Sequence, residues 1–353
     1  LGIRSKTEIS ARVIEAAQRL LAVGCFCIGT DQVDLEAATR HGVAVFNAPF
    51  SNTRSVAELT IAEVVMLARG AVQRSMDLHA GRWKKSSDGC IEVRQKTIGI
   101  VGYGHIGPQV GLLAEALGMR VVFHDIVKKL PLGNARQVGS LDELLRISHF
   151  VTLHVPESPL TRGMIGREQI ALMPVGSFLL NLSRGTVVDL VALRHAIVSG
   201  HLAGAAIDVF PQEPKSSSEP FVSELCGLQN VILTPHIGGS TEEAQRNIGI
   251  EVSESLIRYV DTGSSSGCVN LPEVELPLLR DSHRVLNIHK DVPGVLSRIN
   301  GLVAAMGVNI QSQYLKTRNG VGYLIMDVER SLSRAVKKQI EALDTNIRTR
   351  LLF

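Results

Sequence analysis

The stretch TIGIVGYGHIGPQVGLLAEALGMRVVFHD, residues 97–125, decides the fold of this chain. It runs from an apolar strand-like segment through a glycine-rich turn into a helical segment, and then into a second strand-like segment that ends at Asp125. The glycine pattern alone would be weak evidence. This order of elements, however, is that of the βαβ unit that binds dinucleotides, so the stretch predicts a Rossmann-type domain.

Each glycine of this unit has its own expected role. Gly102 permits the tight turn, Gly104 lets the backbone approach a pyrophosphate, and Gly107 lets the helix pack closely on the strand. The unpaired N–H groups at the helix N-terminus would face the phosphates. Asp125 is expected to accept hydrogen bonds from the adenosine ribose and to repel a 2′-phosphate, which predicts NAD rather than NADP. The alternative is a glycine turn that binds no ligand.

The same alternation of strands and helices continues on both sides of this stretch. The strand-like segments between residues 97 and 238 are TIGIVG, RVVFHD, FVTLHV, SFLLNL, AGAAIDVF and NVILTPH. Nearly continuous apolar runs are expected in a parallel sheet that is covered on both faces. A capping box formed by Ser140 and Glu143 predicts one of the intervening helices. The sequence therefore predicts a doubly wound α/β domain over residues 52–238.

The two ends of the chain have a different organisation. Near the N-terminus, VIEAAQRLLAVG has helical spacing, and CFCIG and VAVFNA are typical of buried strands. After residue 238 we expect a long helix and then the breaker-rich linker DTGSSSGCVNLPEVELP. Residues 281–353 alternate in the order β-α-β-β-α-β, which predicts a separate ferredoxin-like domain.

Composition limits the classes of function. The formal net charge is +3 over 353 residues and the basic residues are scattered, so no nucleic-acid partner is expected. No apolar run reaches the roughly 18 residues that a membrane helix needs, so no membrane partner is expected either. The five cysteines include no C-x-x-C pair, which predicts free thiols, no metal site and a cytoplasmic location.

Three residues that follow strand-like segments indicate the chemistry: Arg184 in NLSRGTVVD, Glu213 in IDVFPQEP and His236 in ILTPHIGG. The planar fork of an arginine holds a carboxylate, and a histidine both takes and gives a proton near neutrality. A glutamate beside the imidazole would orient it and raise its pKa. Because ligands collect at the carboxyl ends of parallel strands, the three residues predict hydride transfer at the carbon next to a carboxylate. Taken singly, each could instead be a surface residue or part of a structural ion pair.

The amino-acid sequences of these segments also resemble those of a known enzyme family. GYGHIG, LNLSRGTVVD, AGAAIDVFPQEP and LTPHIGGST resemble the D-2-hydroxyacid dehydrogenase family, and GCFCIGTDQVDL and FNAPFSNTRSVAEL narrow the resemblance to the bacterial-type D-3-phosphoglycerate dehydrogenases. It implies NAD-dependent oxidation of 3-phosphoglycerate to 3-phosphohydroxypyruvate, the first step of L-serine biosynthesis, with 2-oxoglutarate reduction as a side activity. It also implies a homotetramer. Residues 1–51 and 239–280 would form a flavodoxin-like substrate domain, which we expect to be N-terminally incomplete.

The resemblance assigns further site residues. Arg184, Glu213 and His236 would carry the catalytic roles. The cofactor contacts that it adds to the glycines and Asp125 are His105, Ile106, His154, Asp208 and Thr234. The substrate contacts are Arg4 and Lys6 near the phosphate, Ser5 and Asn52 near the carboxylate, and Lys85 from a neighbouring subunit. Trp83 would pack across a subunit contact. The alternative for Lys85 is a solvated loop lysine.

The C-terminal segment HKDVPGVLSRINGLVAAMGVNI resembles the ACT modules that bind small amino acids. The resemblance implies L-serine as the effector and His289, Asp291 and Asn309 as its contacts. Asp291 stands where the serine-inhibited enzymes have an asparagine. Because an aspartate would repel the carboxylate of serine, we expect serine inhibition that is present but weaker than in the asparagine-bearing enzymes. The alternative is a module that only holds the oligomer together.

Three other functions remain open at this point. The first is a dehydrogenase for an unphosphorylated acid such as glycerate or lactate, against which Arg4, Lys6 and the C-terminal module count. The second is an NAD-sensing transcriptional corepressor, because such proteins keep the same three catalytic residues; the C-terminal module counts against it. The third is an inactive fragment.

Overall fold

The computed structural model describes residues 1–4, 6–214, 216, 218–279 and 281–353. The strands in chain order are β1 (Gly2–Ile3), β2 (Ala22–Cys25), β3 (Ala44–Phe46), β4 (Thr97–Val101), β5 (Arg120–His124), β6 (Arg136–Gln137), β7 (Phe150–Leu153), β8 (Ser177–Asn181), β9 (Leu202–Ile207), β10 (Val231–Leu233), β11 (Ser282–Lys290), β12 (Ile310–Arg318), β13 (Val321–Glu329) and β14 (Asn346–Leu352). The helices are α1 (Ala11–Ala16), α2 (Leu35–Arg40), α3 (Thr53–Arg69), α4 (Ala71–His79), α5 (Ile106–Ala116), α6 (Leu141–Ile147), α7 (Arg167–Leu172), α8 (Leu190–Val198), α9 (Glu242–Thr262), α10 (Val295–Ala305) and α11 (Ser333–Glu341).

These elements form two compact units, one of residues 52–244 and one of residues 1–51 with 245–353. Within the described ranges, no helix combines the length and the apolar character that a membrane crossing requires. The same ranges contain no group of three or more His, Cys, Asp or Glu side chains that could hold a metal ion.

The unit of residues 52–244 is built on a seven-stranded sheet of order β10-β9-β8-β7-β4-β5-β6. Every neighbouring pair of strands is parallel. Helices α3 and α5 pack into an apolar cluster on one face, and α6, α7 and α8 pack into a second cluster on the other. The predicted doubly wound fold is confirmed. Winding reverses between β4 and β7, so the carboxyl ends of these two strands are where a ligand crevice is expected.

The N-terminal part of the other unit is a three-stranded parallel sheet of order β1-β2-β3. The predicted helix across VIEAAQRLLAVG is wrong in its second half, because α1 ends at Ala16 and the buried residues AVGC form β2. The predicted strand CFCIG is correspondingly wrong beyond Cys25. The reason is tertiary: β2 pairs with a strand on each side, and that pairing overrides the helical spacing of the apolar residues.

The C-terminal residues form an antiparallel sheet of order β12-β13-β11-β14. With α10 and α11 they follow the predicted β-α-β-β-α-β order, so the ferredoxin-like module is confirmed. Both helices pack on one face of this sheet. Leu286 and Tyr323 on the opposite face share an apolar cluster with Phe46 and Tyr259. The module thus lies in one compact unit with residues 1–51 and with α9 from Gln245 onward, and its boundary at residue 281 stays a prediction.

The predicted linker after α9 is a packed connection rather than a loose spacer. The Ser265 hydroxyl donates to the Pro272 carbonyl and accepts from the Val274 amide, at 2.7 and 2.8 Å. Asn270 accepts from the Val45 amide at 2.9 Å and donates to the Val43 carbonyl at 3.0 Å. These bonds hold the segment along β3, which local composition alone did not indicate.

Candidate active site

The glycine turn has the geometry of a dinucleotide cradle. Gly102 has a φ of +90°, and a Cβ there would collide with the backbone carbonyl of His154, which follows β7. A Cβ at Gly107 would collide with the Gly102 carbonyl. Gly104, by contrast, has no atom of the described residues within 4 Å of its Cβ position. The first and third glycines are therefore required by the fold, and the second leaves room for a ligand at the N-terminus of α5.

Two side chains beside this turn fit a cofactor. The Asp125 carboxylate accepts from the Tyr103 and Val127 amides, both at 2.9 Å, and its other lone pairs remain available to ribose hydroxyls. Burial lowers the pKa of His154 to about 3, so its ring is neutral. Its Nε2 lies 3.0 Å from the Thr152 hydroxyl, while its buried Nδ1 has no partner within the described residues. An orphaned polar atom beside the cradle is consistent with a ligand in the crevice.

The three predicted catalytic residues lie at the carboxyl ends of adjacent strands. Arg184 follows β8, Glu213 follows β9 and His236 follows β10. The imidazole Nδ1 of His236 lies 2.9 Å from Glu213 Oε2 and 3.0 Å from Oε1. A Cβ at Gly185 would collide with the Phe210–Pro211 backbone, so this glycine lets the loop of Arg184 approach the loop of Glu213.

Electrostatics couples these three residues. The hydrogen bond that His236 donates to Glu213 raises the pKa of His236; burial opposes the rise, the charges of Glu213 and Asp208 add to it, and Arg184 reduces it. Burial alone would raise the pKa of Glu213, but His236, the Phe210 amide and Arg184 together lower it below its usual value. At neutral pH the arrangement is a carboxylate that favours the imidazolium, which suits a group that must accept a proton.

Asp208 organises the turn that carries His236. Its buried carboxylate accepts from the Thr234 hydroxyl at 2.6 Å and from the Ile237 and Gly238 amides, both at 2.8 Å. The His236 amide donates to the Asp208 carbonyl at 2.8 Å, and His236 itself has a φ of +55°, which residues other than glycine rarely adopt. Asp208 was expected only as a cofactor contact. The structure adds that it fixes the backbone of the proposed base.

The predicted substrate residues belong to both units. Arg4 donates to Gln245 Oε1 at 2.8 Å in the unit of residues 1–51 and 245–353, which also contains Lys6. Ser5 lies outside the described residues. Asn52 begins α3 in the other unit, where its buried Oδ1 has no partner within the described residues, and Lys85 is exposed. Arg4 and Lys6 therefore remain predictions as contacts of the substrate phosphate.

The predicted effector residues all lie in the C-terminal module. His289 is 2 % exposed, and its Nδ1 lies 2.8 Å from Asn287 Oδ1. Burial lowers the pKa of His289, and the charge of Asp291 opposes that effect, so these two residues are close. Asp291 and Asn309 are exposed. The pattern of the sequence did not indicate that His289 is buried.

The sequence interpretation missed Glu63. This residue lies on α3, is 1 % exposed, and its carboxyl oxygens have no hydrogen-bond partner within the described residues. A signal was present, because Glu63 shares the helical spacing of Val56, Thr60 and Leu67 in an otherwise apolar helix. An ionisable residue on the buried face of such a helix requires an explanation.

Comparison with known protein families gives two matches. Residues 61–238 match the NAD-binding domain of D-isomer specific 2-hydroxyacid dehydrogenases. Residues 286–348 match an ACT domain like that of the small subunit of AHAS. The two matched ranges correspond to the seven-stranded parallel sheet and to the antiparallel C-terminal sheet.

Individual relatives cover most of the chain. D-3-phosphoglycerate dehydrogenase from Escherichia coli K12 is 55% identical over 355 residues, which span 100% of this chain and 86% of the relative. The enzyme of the same name from Dictyostelium discoideum is 51% identical, with the same coverage. Among solved structures, a D-lactate dehydrogenase from Aquifex aeolicus in complex with NAD and lactic acid has a TM-score of 0.67 at 28% identity, covering 77% of this chain and 86% of that one.

Proposed function

The chain belongs to the D-isomer specific 2-hydroxyacid dehydrogenase family, and from that premise we propose that it oxidises 3-phosphoglycerate to 3-phosphohydroxypyruvate with NAD, the first step of L-serine synthesis. The geometric observation that carries the proposal is the pairing of His236 with Glu213 beside the loop of Arg184. The identity of about half the residues with D-3-phosphoglycerate dehydrogenases over the whole chain supports the choice of substrate.

Each residue of the constellation has a role in this reaction. NAD, when bound, supplies the acceptor for the hydride that leaves the substrate carbon. His236 takes the hydroxyl proton, so the carbinol becomes a ketone while one hydride and one proton depart. Glu213 stabilises the imidazolium that results. Arg184 grips the substrate carboxylate and thereby aims the reacting carbon.

The direct test is the initial rate of NADH formation with 3-phosphoglycerate, D-glycerate and D-lactate measured side by side. We expect the phosphorylated substrate to have the highest kcat/KM. Equal use of D-lactate would indicate a dehydrogenase that does not recognise phosphate. The absence of NADH formation with all three acids would contradict the proposed function.

We assign phosphate recognition to Arg4 and Lys6, which supply two cations in one short segment. Arg4→Ala should raise the KM for 3-phosphoglycerate while leaving the KM for D-glycerate unchanged, because only the former carries a phosphate. Arg12→Ala, an exposed arginine on α1, is the matched control. Equal effects on both substrates would remove Arg4 from the phosphate site.

Selectivity for NAD is assigned to Asp125. Replacing it by alanine should bring the kcat/KM for NADP closer to that for NAD, because a negative charge beside the ribose no longer repels the 2′-phosphate. An unchanged ratio would show that another group recognises the ribose.

We propose a homo-oligomer, specifically a tetramer, in which Lys85 reaches the active site of a neighbouring subunit. Trp83 supports this, because its side chain is 80% exposed and a tryptophan of that exposure is typical of a contact surface. Sedimentation of the wild type and of Trp83→Ala would test it. A wild-type monomer would contradict the assembly.

The ACT module indicates a small-molecule effector, and we propose L-serine, with contacts to His289, Asp291 and Asn309. The electrostatic coupling of His289 to Asp291 supports a common site. L-serine should inhibit weakly, and Asp291→Asn should strengthen the inhibition because the repulsion of the serine carboxylate is removed. D-serine is the control. No inhibition at millimolar L-serine in either protein would leave the module structural.

The described cysteines are all free thiols. Free thiols support a reducing compartment, and we accordingly propose a cytoplasmic location. Fractionation of the source cells, followed by detection of the protein with an antibody, would test this.

A further inference from the structure

Glu63 is a buried acid that the proposed chemistry leaves unused. It lies on the face of α3 that packs into the apolar cluster with Leu180, Ala206 and Ile232 of β8, β9 and β10. Neither carboxyl oxygen has a hydrogen-bond partner within the described residues. Because burial of an uncompensated charge is costly, such a carboxyl is expected to hold its proton.

Asp208 is the charged group that acts on Glu63. The two carboxyl groups are close enough for the Asp208 charge to raise the pKa of Glu63, after burial itself, to about 8. The Asp208 carboxylate accepts three hydrogen bonds, whereas the carboxyl oxygens of Glu63 have no hydrogen-bond partner within the described residues. Donors stabilise an ionised carboxylate, so Asp208 carries the negative charge and Glu63 is the neutral partner.

Other ionisable groups lie on α3 and on the elements packed against it. On α3 itself, Arg54 pairs with Glu58 and Arg69 is exposed. The groups on the neighbouring elements are Arg74, Asp77 and His79 on α4, Glu115 on α5, Arg184 after β8 and His236 after β10. The causes of the shift at Glu63 are burial and Asp208 alone. Asp208 is thus the charged group that acts, together with burial, on the pKa of Glu63.

The Glu63 and Asp208 carboxyl groups lie under the turn of the proposed base. A Cβ at Gly238 would lie 2.9 Å from Asp208 Oδ2 and 3.7 Å from Val56, which places the start of α3 against that turn. The amides that Asp208 holds belong to Ile237 and Gly238, directly after His236. A second negative charge at Glu63 would repel the Asp208 carboxylate and loosen its hold on these amides.

We propose that Glu63 is a positioning residue for the reaction: it acts as a neutral acid that keeps Asp208 the single charge beneath the turn that carries His236. Its consequence for turnover rests on the proposed function, whereas its protonation does not. As Glu63 loses its proton, the imidazole shifts and kcat falls, while the KM for the substrate changes less because Arg184 is unaffected.

The first test is the pH dependence of kcat in the wild type, in Glu63→Gln and in Glu58→Gln. The glutamine at position 63 keeps the shape of the side chain but cannot ionise. One pH unit above the pKa of Glu63 we expect a loss of about tenfold in the wild type and in the exposed Glu58→Gln control, since about nine-tenths of the acid is then ionised. Glu63→Gln should keep the neutral-pH kcat within about twofold and lack that decline.

Two outcomes of the kinetic test would overturn the proposal. One is an alkaline decline in Glu63→Gln with the same midpoint as in the wild type. The other is a wild type whose kcat does not fall through this range. Glu63→Met, which is also neutral and similar in length, gives the same comparison if the glutamine variant does not fold.

The second test does not depend on activity. The folded-state pKa of Glu63, about 8, is above its ordinary value of 4.5. Between these values the folded chain holds a proton that the unfolded chain lacks, so the folded state loses stability as pH rises. Glu63→Gln removes that loss, and the difference in Tm between Glu63→Gln and the wild type should therefore grow from pH 4.5 to pH 8.

A Tm difference that is constant over this range would show that Glu63 is already ionised in the folded protein, as it is in the unfolded chain, and would refute the proposal. A protein that oxidises none of the acids, but shows the growing Tm difference, would refute the proposed function and leave the protonation of Glu63 established. The two failures are therefore distinguishable.

Discussion

Two arginines in the two units show how the same side chain serves different ends. Arg284, on β11, is 2 % exposed and uses all five of its N–H donors. Two go to the Asp327 carboxylate, and three go to the carbonyls of Thr262, Leu276 and Pro277. Arg184 is half-buried, and within the described residues its side chain donates one hydrogen bond, to the Ser183 carbonyl.

The difference lies in what is left over. The guanidinium of Arg284, with all five N–H donors hydrogen-bonded, fixes the end of α9 and the following segment to the C-terminal sheet. No N–H donor of Arg284 remains for a ligand. The guanidinium of Arg184, which follows a strand and makes few hydrogen bonds within the described residues, keeps its planar fork for a carboxylate. The number of N–H donors that are hydrogen-bonded within the protein therefore distinguishes the structural arginine, Arg284, from the arginine proposed to bind substrate, Arg184.

The largest expected effect comes from removing the proposed base. His236→Ala should lower kcat by about 10² to 10⁴, because proton transfer is lost, while Tm and NADH affinity stay near the wild-type values. Stopped-flow turnover and fluorescence titration of NADH would measure both. His195→Ala, an exposed histidine on α8, is the control. A variant that fails only because NADH no longer binds would contradict the assignment.

Arg284→Ala should have the opposite phenotype. Removing one partner of a buried pair leaves Asp327 uncompensated, which typically costs about 3 to 5 kcal/mol in the free energy of unfolding. The matched control is Arg298→Ala, which breaks an exposed pair with Asp344 and should cost at most about 1 kcal/mol. Urea denaturation of the three proteins checks this. Equal losses in the two variants would show that the full hydrogen bonding of Arg284 does not matter.

Arg184→Lys tests the arginine proposed to bind substrate by a smaller change. Lysine keeps the charge but loses the fork, so kcat/KM for the hydroxy acid should fall by at least about tenfold, or about 1.4 kcal/mol. Affinity for NADH and the Tm should not change. Arg194→Lys on α8 is the control. If kcat/KM stays within about twofold, Arg184 does not anchor the carboxylate.

Much of this comparison could be predicted from the sequence, because the active-site features are local. The glycines at 102, 104 and 107 follow a strand within one βαβ unit, and Arg184 and His236 stand just past apolar runs. Parallel strands bring such ends to one edge of the sheet, so motif position translates directly into proximity. In the structure, the His236 Nδ1 lies 2.9 Å from Glu213 Oε2.

The remaining features depend on contacts that are distant in the chain. The helical spacing near α1 predicted a helix where pairing on both sides makes β2. Arg284 and Asp327 are 43 residues apart, and antiparallel pairing sets them opposite each other. The charge of Asp208 acts on Glu63 because α3 packs on β9 and β10. Local patterns predict elements and their ends, but they do not predict which buried charge will face which.

The smallest expected effect is a displaced pH profile in Glu213→Gln. The hydrogen bond that His236 donates to the Glu213 carboxylate raises the pKa of His236, and His236 must be neutral to accept the substrate proton. In the wild type, kcat/KM should therefore fall as pH drops through that raised value. Without the carboxylate the fall should begin at a lower pH, and the plateau should decrease because the imidazolium is less stabilised. Initial rates across this range measure the displacement, and Glu224→Gln, an exposed residue of the same loop, should leave the profile unchanged. A profile that moves to higher pH, or does not move, would mean that the carboxylate of Glu213 does not set the proton affinity of His236.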